Sequence, residues 1–452
     1  MQRLFADFAW LPDGWQADVA IDIDADGQLV AVQAGAAADG RERIGRWVLP
    51  GMPNIHSHAF QRAMAGLAER QTDPADSFWT WREVMYGFAQ RLDPEALRDI
   101  AAQLYVEMLE AGYTAVCEFH YLHHAPDGRP YADPAAMSQA VLAAADDAGI
   151  GITLLPTLYM TGGFDGRPLS ERQRRFAHGV DDYLALLERL RPQVCAQRAL
   201  GLCFHSLRAV PEAPMRAVLE AGDKGLPVHI HIAEQQAEVN DCLARHGTRP
   251  VRWLLANMPV DSRWSLVHAT HLSGEEVHGI AASGAVVALC PTTEANLGDG
   301  LFPLRAYLDA GGAWGIGSDS HISVSPVEEL RWLEYGQRLA LLRRNIAVSA
   351  AQPSCGELLL GQALHGGAQA SGRAVGRLAP GRRADLIVLD DEAALLAERD
   401  VGNLVDTWVF SGNRPLVRDV MVGGRWCVRD GRHRQREAVA MRYRSALRRL
   451  RG

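Results

Sequence analysis

From Val48 onward the sequence repeats one pattern, a short apolar run bounded by glycine or proline followed by a longer stretch with helical character. Eight such runs can be counted: Val48–His58, Thr114–Tyr121, Gly151–Leu158, Gly201–Leu207, Pro227–Ala233, Ser265–Ala269, Ala285–Cys290 and Trp314–Ser318. Between them lie stretches such as Pro94–Ala111, Ala135–Ala148 and Val180–Arg189. Strands alternating with helices build parallel βαβ units. Eight units in one stretch predict a closed (β/α)₈ barrel over an open sheet.

The flanks read differently. Before residue 48, runs such as ADVAIDID and QLVAVQA alternate with the turn-formers Asp26-Gly27 and Gly35; after the barrel, GRLAPGRRADLIVLD and RDVMVGGRWCVRDGR return to short strands and glycine turns. The expected organisation is therefore a barrel over residues 49–370. Residues 1–48 and 371–452, the latter ending in a helix, form a small β-sandwich-like domain. A formal net charge of −8 gives no electrostatic reason to expect nucleic acid or an anionic membrane as partner. The start, MQRLFADFAWLPDGW, has no basic segment leading into a long apolar run, and no window is apolar enough to span a bilayer. Seven scattered cysteines without a CxxC pair suit free thiols in a reducing compartment, so the expected location is cytoplasmic.

In a barrel of this kind the active site lies at the C-terminal ends of the strands. The first run ends His56-Ser57-His58, the fifth ends His231-Ile232-Ala233-Glu234, the sixth ends near His268 and the eighth at Asp319. Two histidines at i and i+2 on a strand project to one face, so both can reach one ion. A third imidazole and a carboxylate from other strands complete an N₃O set, which suits zinc, with iron(II) also compatible. His229 shares the inward face of the fifth strand one layer deeper and is expected to be structural.

Pro53-Asn54-Ile55-His56-Ser57-His58, His231 with Glu234, His268, and Gly317-Ser318-Asp319-Ser320 resemble the amidohydrolase superfamily in its cytosine/adenosine-deaminase-like branch. Gly381–Leu386 is similar to the C-terminal β element of that group. The resemblance implies the barrel, the split β domain, and His56, His58, His231 and Asp319 as metal ligands. Two-metal members carry a carboxylated lysine at the end of strand four. Here that strand ends Phe204-His205-Ser206-Leu207-Arg208, and the one lysine of the chain, Lys224, lies in the loop before strand five. One metal per chain is therefore expected. The chemistry implied is hydroxide addition to a C=N carbon and loss of ammonia, with Asp319 and His268 taking the proton of water and Glu234 protonating nitrogen.

Longer stretches narrow the resemblance. GMPNIHSHAFQRAMAGLAER, SFWTWREVMY, CEFHYLHH, GLCFHSLRAV and VHIHIAEQQ are similar to the N-formimino-L-glutamate deiminases, a family of histidine-degrading enzymes. By that resemblance Gln61, Arg82, Tyr121, His205 and Arg208 bind the substrate, and the chain forms a homodimer. The residues agree, since a formimino diacid carries two carboxylates and planar guanidinium donors recognise them. A nucleobase or pterin deaminase with the same metal chemistry, or a preference for formimino-aspartate, are the alternatives. The first would call for stacking aromatics and amides in place of paired arginines.

Overall fold

The computed structural model describes residues 1–70 and 78–451. Ser77, which opens the SFWTWREVMY segment, and Gly452 lie outside them. The N-terminal strands are β1 (Gln2–Leu11), β2 (Gly14–Ile23), β3 (Leu29–Gln33) and β4 (Glu42–Pro50). The barrel follows with β5 (Met52–Ser57), β6 (Tyr113–His120), β7 (Gly151–Leu158), a short β8 (Arg198–Leu200) beside the start of β7, then β9 (Leu202–Ser206) and β10 (Val228–Ile232). It continues with β11 (Trp264–His268), β12 (Val286–Leu289) and β13 (Ala313–Ile316). The eight main strands pair in parallel in chain order, with helices between them, as a (β/α)₈ barrel. They are buried almost throughout, because helices cover the outside and packed side chains fill the inside.

Closure depends on one glycine. Beyond β13 the chain runs through Gly317-Ser318-Asp319, and the amides of Ser318 and Asp319 both donate to the carbonyl of His56 at 3.1 and 3.0 Å. The amide of His58 donates to the carbonyl of Asp319 at 3.1 Å, so the last strand is tied to the first. A Cβ at Gly317 would lie 2.7 Å from the Cβ of His56 and 2.8 Å from its carbonyl oxygen. Only glycine allows that approach, which also delivers Asp319 to the histidines.

Seven of the eight expected strands end within two residues of their observed limits; the first does not. Val48–His58 is two strands, since Val48, Leu49 and Pro50 finish β4 in the other sheet and β5 begins at Met52. Gly51 makes the passage, and a side chain there would collide with Thr114, whose Cγ2 and Oγ1 lie 2.2 and 2.3 Å from the Cβ position.

The terminal segments join in one eight-stranded sheet ordered β17-β16-β15-β14-β4-β1-β2-β3, where β14 is Leu386–Leu389, β15 Val417–Val422, β16 Arg425–Arg429 and β17 Arg432–His433. Its seam is the antiparallel pairing of β4 with β14, Leu49 opposite Ile387 and Val48 opposite Val388. The period of two divides these residues between two cores. Val48, Leu386 and Val388 pack with Leu4, Ile21 and Met421, while Trp47, Leu49, Ile387 and Leu389 join the large core of the barrel.

Candidate active site

The strand-end histidines converge. Nε2 of His56 lies 3.1 Å from Nε2 of His231, and Oδ1 of Asp319 is 3.4 Å from Nε2 of both His56 and His58. Four donors bonded tetrahedrally to zinc at about 2.0–2.1 Å would sit about 3.3–3.4 Å apart, so these separations fit the edges of that tetrahedron. Nδ1 of His58 faces the carbonyl of Phe119 at 2.9 Å, and Nδ1 of His231 faces the carbonyl of His205 at 2.9 Å. A carbonyl only accepts, so Nδ1 carries the hydrogen in each ring and Nε2 offers its lone pair to the centre. Burial, reinforced for His56 and His231 by the neighbouring imidazoles, holds all three rings below the ordinary histidine range and hence neutral. The donor set fits a divalent ion.

His268 and Glu234 stand next to this cluster. Nε2 of His268 is 3.8 Å from Oε1 of Glu234 and 3.9 Å from Oδ2 of Asp319. Burial pushes the carboxyl of Glu234 up to about 7. Burial acts to lower His268, but the carboxylates of Glu234, Glu294 and Asp319 outweigh it and raise the imidazole to about 10 in the protein alone. Backbone strain collects here as well. Of the ten non-glycine residues with positive φ among the described residues, Ala233, His268, Ala269, Asp319 and His321 are at these strand ends. Such conformations cost of order 1–3 kcal/mol each and persist where the surroundings over-determine them.

Ten of the eleven residues singled out from the sequence line one cavity of about 580 Å³ of empty space: His58, Gln61, Arg82, Tyr121, His205, Arg208, His231, Glu234, His268 and Asp319. The eleventh, His56, is fully buried behind it. Arg82 projects from the helix Phe78–Ala89 and Arg208 from the loop after β9. Their guanidinium carbons lie 4.4 and 5.7 Å from the ring of Trp79. Neither arginine makes an ion pair among the described residues, and Nε of each is buried without a hydrogen-bond partner. Gln61 donates to the hydroxyl of Tyr121 at 3.0 Å and leaves its own Oε1 unpartnered. These side chains leave polar atoms without partners among the described residues, around the histidine cluster.

The helix that carries Arg82 is held from the segment Glu171–Phe176. Gln173 donates to the hydroxyls of Tyr86 and Tyr159, and the buried guanidinium of Arg175 caps the carbonyls of Ala89 and Leu92. His229 is turned to the carbonyl of Ala370 at 2.9 Å, away from the cluster, and Lys224 bonds the carbonyls of Leu219 and Glu220 before β10, at the far end of the barrel. Three further buried carboxylates at the strand ends are not among the candidates that the sequence offers. Glu118 accepts from the hydroxyl of Ser57 and the amide of Ala59, both at 2.6 Å; Glu238 accepts from the amides of Ala233 and Glu234, both at 3.2 Å; and Glu294 faces Nδ1 of His268 at 3.2 Å.

Fold and site together define the class of barrel hydrolases that gather histidines and an aspartate at strands one, five, six and eight. The chain belongs to the amidohydrolase family, whose model matches residues 47–427. Residues 1–46 match the model described as the N-terminal domain of formimidoylglutamate deiminase HutF. The likeness extends over nearly the whole chain, which is 58% identical over 444 residues to a formimidoylglutamate deiminase of Pseudomonas aeruginosa, covering 98% of each. The crystal structure of an amidohydrolase from Brucella melitensis superposes with a TM-score of 0.94 at 44% identity over the full length of both chains. An atrazine chlorohydrolase from Arthrobacter aurescens TC1 complexed with zinc shares the fold, with a TM-score of 0.84 at 22% identity over 99% of this chain and 100% of that one.

Proposed function

We propose that this chain hydrolyses N-formimino-L-glutamate to N-formyl-L-glutamate and ammonia, a step of histidine degradation, with one zinc ion per chain. The observation that carries the reading is the pair of guanidiniums, Arg82 and Arg208, which form no ion pair among the described residues, in the cavity that also holds the histidine cluster. A neutral nucleobase would leave both cations uncompensated, whereas a diacid supplies two carboxylates to planar donors. The similarity to a protein named formimidoylglutamate deiminase supports the same substrate.

His56, His58, His231 and Asp319 would hold the ion. The chemistry it supplies when bound is the acidification of water and the polarisation of the C=N group. The residues do the rest. Asp319 and His268 flank one edge of the cavity. Beside a bound dication His268 would give up the proton that the carboxylates hold on it in the protein alone, so that the two residues orient the water and take its proton as oxygen bonds to the formimino carbon. Glu234, with its carboxyl raised by burial to about 7, delivers a proton to the terminal nitrogen; the hydroxyl proton of the adduct follows to the same nitrogen as the carbonyl forms, and the C–N bond breaks to release ammonia while the proton taken from water returns to Glu234. Gln61, Tyr121 and His205 orient the substrate, with the unpartnered Oε1 of Gln61 available to an N–H donor.

We place the enzyme in the cytoplasm as a homodimer with no nucleic-acid or membrane partner. All seven cysteines are free, and among the described residues no helix is long and apolar enough to cross a membrane. The helix Pro326–Leu341 exposes Trp332 and Leu339, and beside them Leu342 is 89% exposed, an apolar face that suits a second copy. The test of function is ammonia release from a panel of formimino amino acids and nucleobases. Formimino-glutamate is expected to lead. Formimino-glycine and a mono-amide of formimino-glutamate should be turned over at least about 10²-fold worse in kcat/KM, because each leaves one half-buried cation unpaired. Formimino-aspartate tests a single methylene, a modest change for any pocket. Efficient deamination of guanine or cytosine with no activity on the diacid would overturn the assignment.

A further inference from the structure

Behind His268 stands a carboxylate announced by no strand-end motif. Glu294 lies on the short helix Pro291–Leu297 that follows β12, and its side chain is buried. Its Oε1 accepts from the amide of Cys290 at 2.9 Å and faces Nδ1 of His268 at 3.2 Å. An ionised carboxylate only accepts, so Nδ1 carries a hydrogen and Nε2 is the nitrogen presented to the cavity, 3.8 Å from Glu234 and 3.9 Å from Asp319. The support is rigid. Thr292 donates from its amide and hydroxyl to the buried Glu329 at 2.9 and 2.5 Å, and the hydroxyl of Thr293 donates to the carbonyl of Ser318 at 3.3 Å. Capping the amide of Cys290 would by itself account for an acid at this position. The second contact, to a ring on a different strand whose own backbone is strained at φ +68°, is not needed for capping.

We propose that Glu294 is a positioning residue for the reaction: by holding Nδ1 of His268 from the helix that follows the neighbouring strand, it aims Nε2 at the space between Glu234 and Asp319. This rests on the deiminase reading above and adds to it the group that orients His268. It works as carboxylates behind metal-site and catalytic imidazoles generally do, fixing the ring and its tautomer without touching substrate. Removing such a partner costs activity about 10–100-fold.

The experiment measures ammonia release from N-formimino-L-glutamate by zinc-loaded, full-length protein in four forms: wild type, Glu294→Met, His268→Asn and the double variant. Glu294→Met is expected to lower kcat about 10–100-fold with KM and zinc content near wild type. The double variant should be no slower than His268→Asn, because the acid acts only through that ring. Glu294→Gln, which keeps an oxygen acceptor, should recover most of the rate lost in Glu294→Met. If Glu294→Met does not fold, Glu294→Asp carries the same cycle, with the acceptor withdrawn by one methylene. Full activity in the single variant, or losses that multiply in the double one, would overturn the proposal. Absence of ammonia release by wild type would instead overturn the deiminase reading, so the two failures are told apart.

Discussion

The barrel mouth and the terminal sheet both bury charge, and they treat it in opposite ways. In the sheet, Arg383 meets Asp385 at 3.2 Å and Arg418 meets Asp419 at 2.9 Å, and the two aspartates also accept the amides of Gly423 and Asp430 at 2.7 and 3.0 Å. At the mouth, Arg82 and Arg208 have no ion pair among the described residues, Glu234 faces imidazole and carboxylate, and the three cluster histidines point lone pairs at one another. The sheet also keeps most of its backbone relaxed, whereas five strand-end residues at the mouth take left-handed conformations. A region selected only to be stable pairs its charges. One that must bind leaves them open, and the difference marks the site.

The largest expected effect tests the histidine cluster. His56→Ala removes a ligand at the centre of the cluster and should abolish both zinc retention and activity. Elemental analysis of wild type should find about one zinc per chain, as expected of a single N₃O set. Two tightly held ions would contradict the mononuclear centre. Next comes Glu234→Gln, which should keep the metal and lower kcat about 10²–10⁴-fold, the usual worth of a positioned acid–base group. A variant within a few-fold of wild type would show that the proton moves by another route.

One arginine can be removed from each region. Arg208→Met should shrink the preference for the diacid over its mono-amide by about 10²-fold, the worth of a bidentate, desolvated charge contact. Its cost in stability should stay within about 1 kcal/mol, because no ion pair is broken. Arg383→Met in the sheet should leave turnover intact and destabilise by about 3–5 kcal/mol, since Asp385 is then buried without its cation. Chemical denaturation of both variants checks this. Equal destabilisation would mean that Arg208 is a structural cation like Arg383.

What could be read from the sequence follows the same division. The His-x-His period of two, the histidines closing strands five and six, and Asp319 are legible because strand ends in a barrel are positionally defined. The expected first strand is too long because Val48, Leu49 and Pro50 continue the apolar character of the run that follows. The pairing of Val48–Pro50 with β14 and of Met52–Asn54 with β6 shows that one chain segment serves two sheets, with Gly51 packed against Thr114 between them. Glu118, Glu238 and Glu294 were illegible for another reason. An acid within a strand or on the first turn of a helix usually caps or faces water. Glu238 and Glu294 do cap amides four residues back, and what sets Glu118 and Glu294 apart, the amide of Ala59 and the ring of His268, lies 59 and 26 residues away. The weak signal that existed was an acid set in or just after an otherwise apolar strand.

The smallest expected effect is also the most direct statement of the contrast, because pH should act on the two regions with opposite sign. Glu234 at the mouth has its carboxyl raised by burial to about 7 from the ordinary 4.5. Between those values the folded protein holds a proton that the unfolded chain has released, so that contribution to stability is full below about pH 4.5 and is lost as pH rises through about 7. Asp22 in β2 lies the other way. The hydrogen bond and ion pair with Arg41, at 2.5 Å, hold its carboxyl below the ordinary 3.8. Its contribution is present above that value and is lost as pH falls through the lowered one. Melting temperatures of zinc-loaded Glu234→Gln and Asp22→Asn at pH 5 and pH 8 separate the two. Relative to wild type, Glu234→Gln should gain stability on going to pH 8. Asp22→Asn should be the less stable protein at both pH values, by no more than about 1 kcal/mol, as is usual for a pair near the surface. A Glu234→Gln difference that is flat with pH would mean that the carboxyl is already ionised at pH 5, and that its partners at the mouth satisfy it as fully as Arg41 satisfies Asp22.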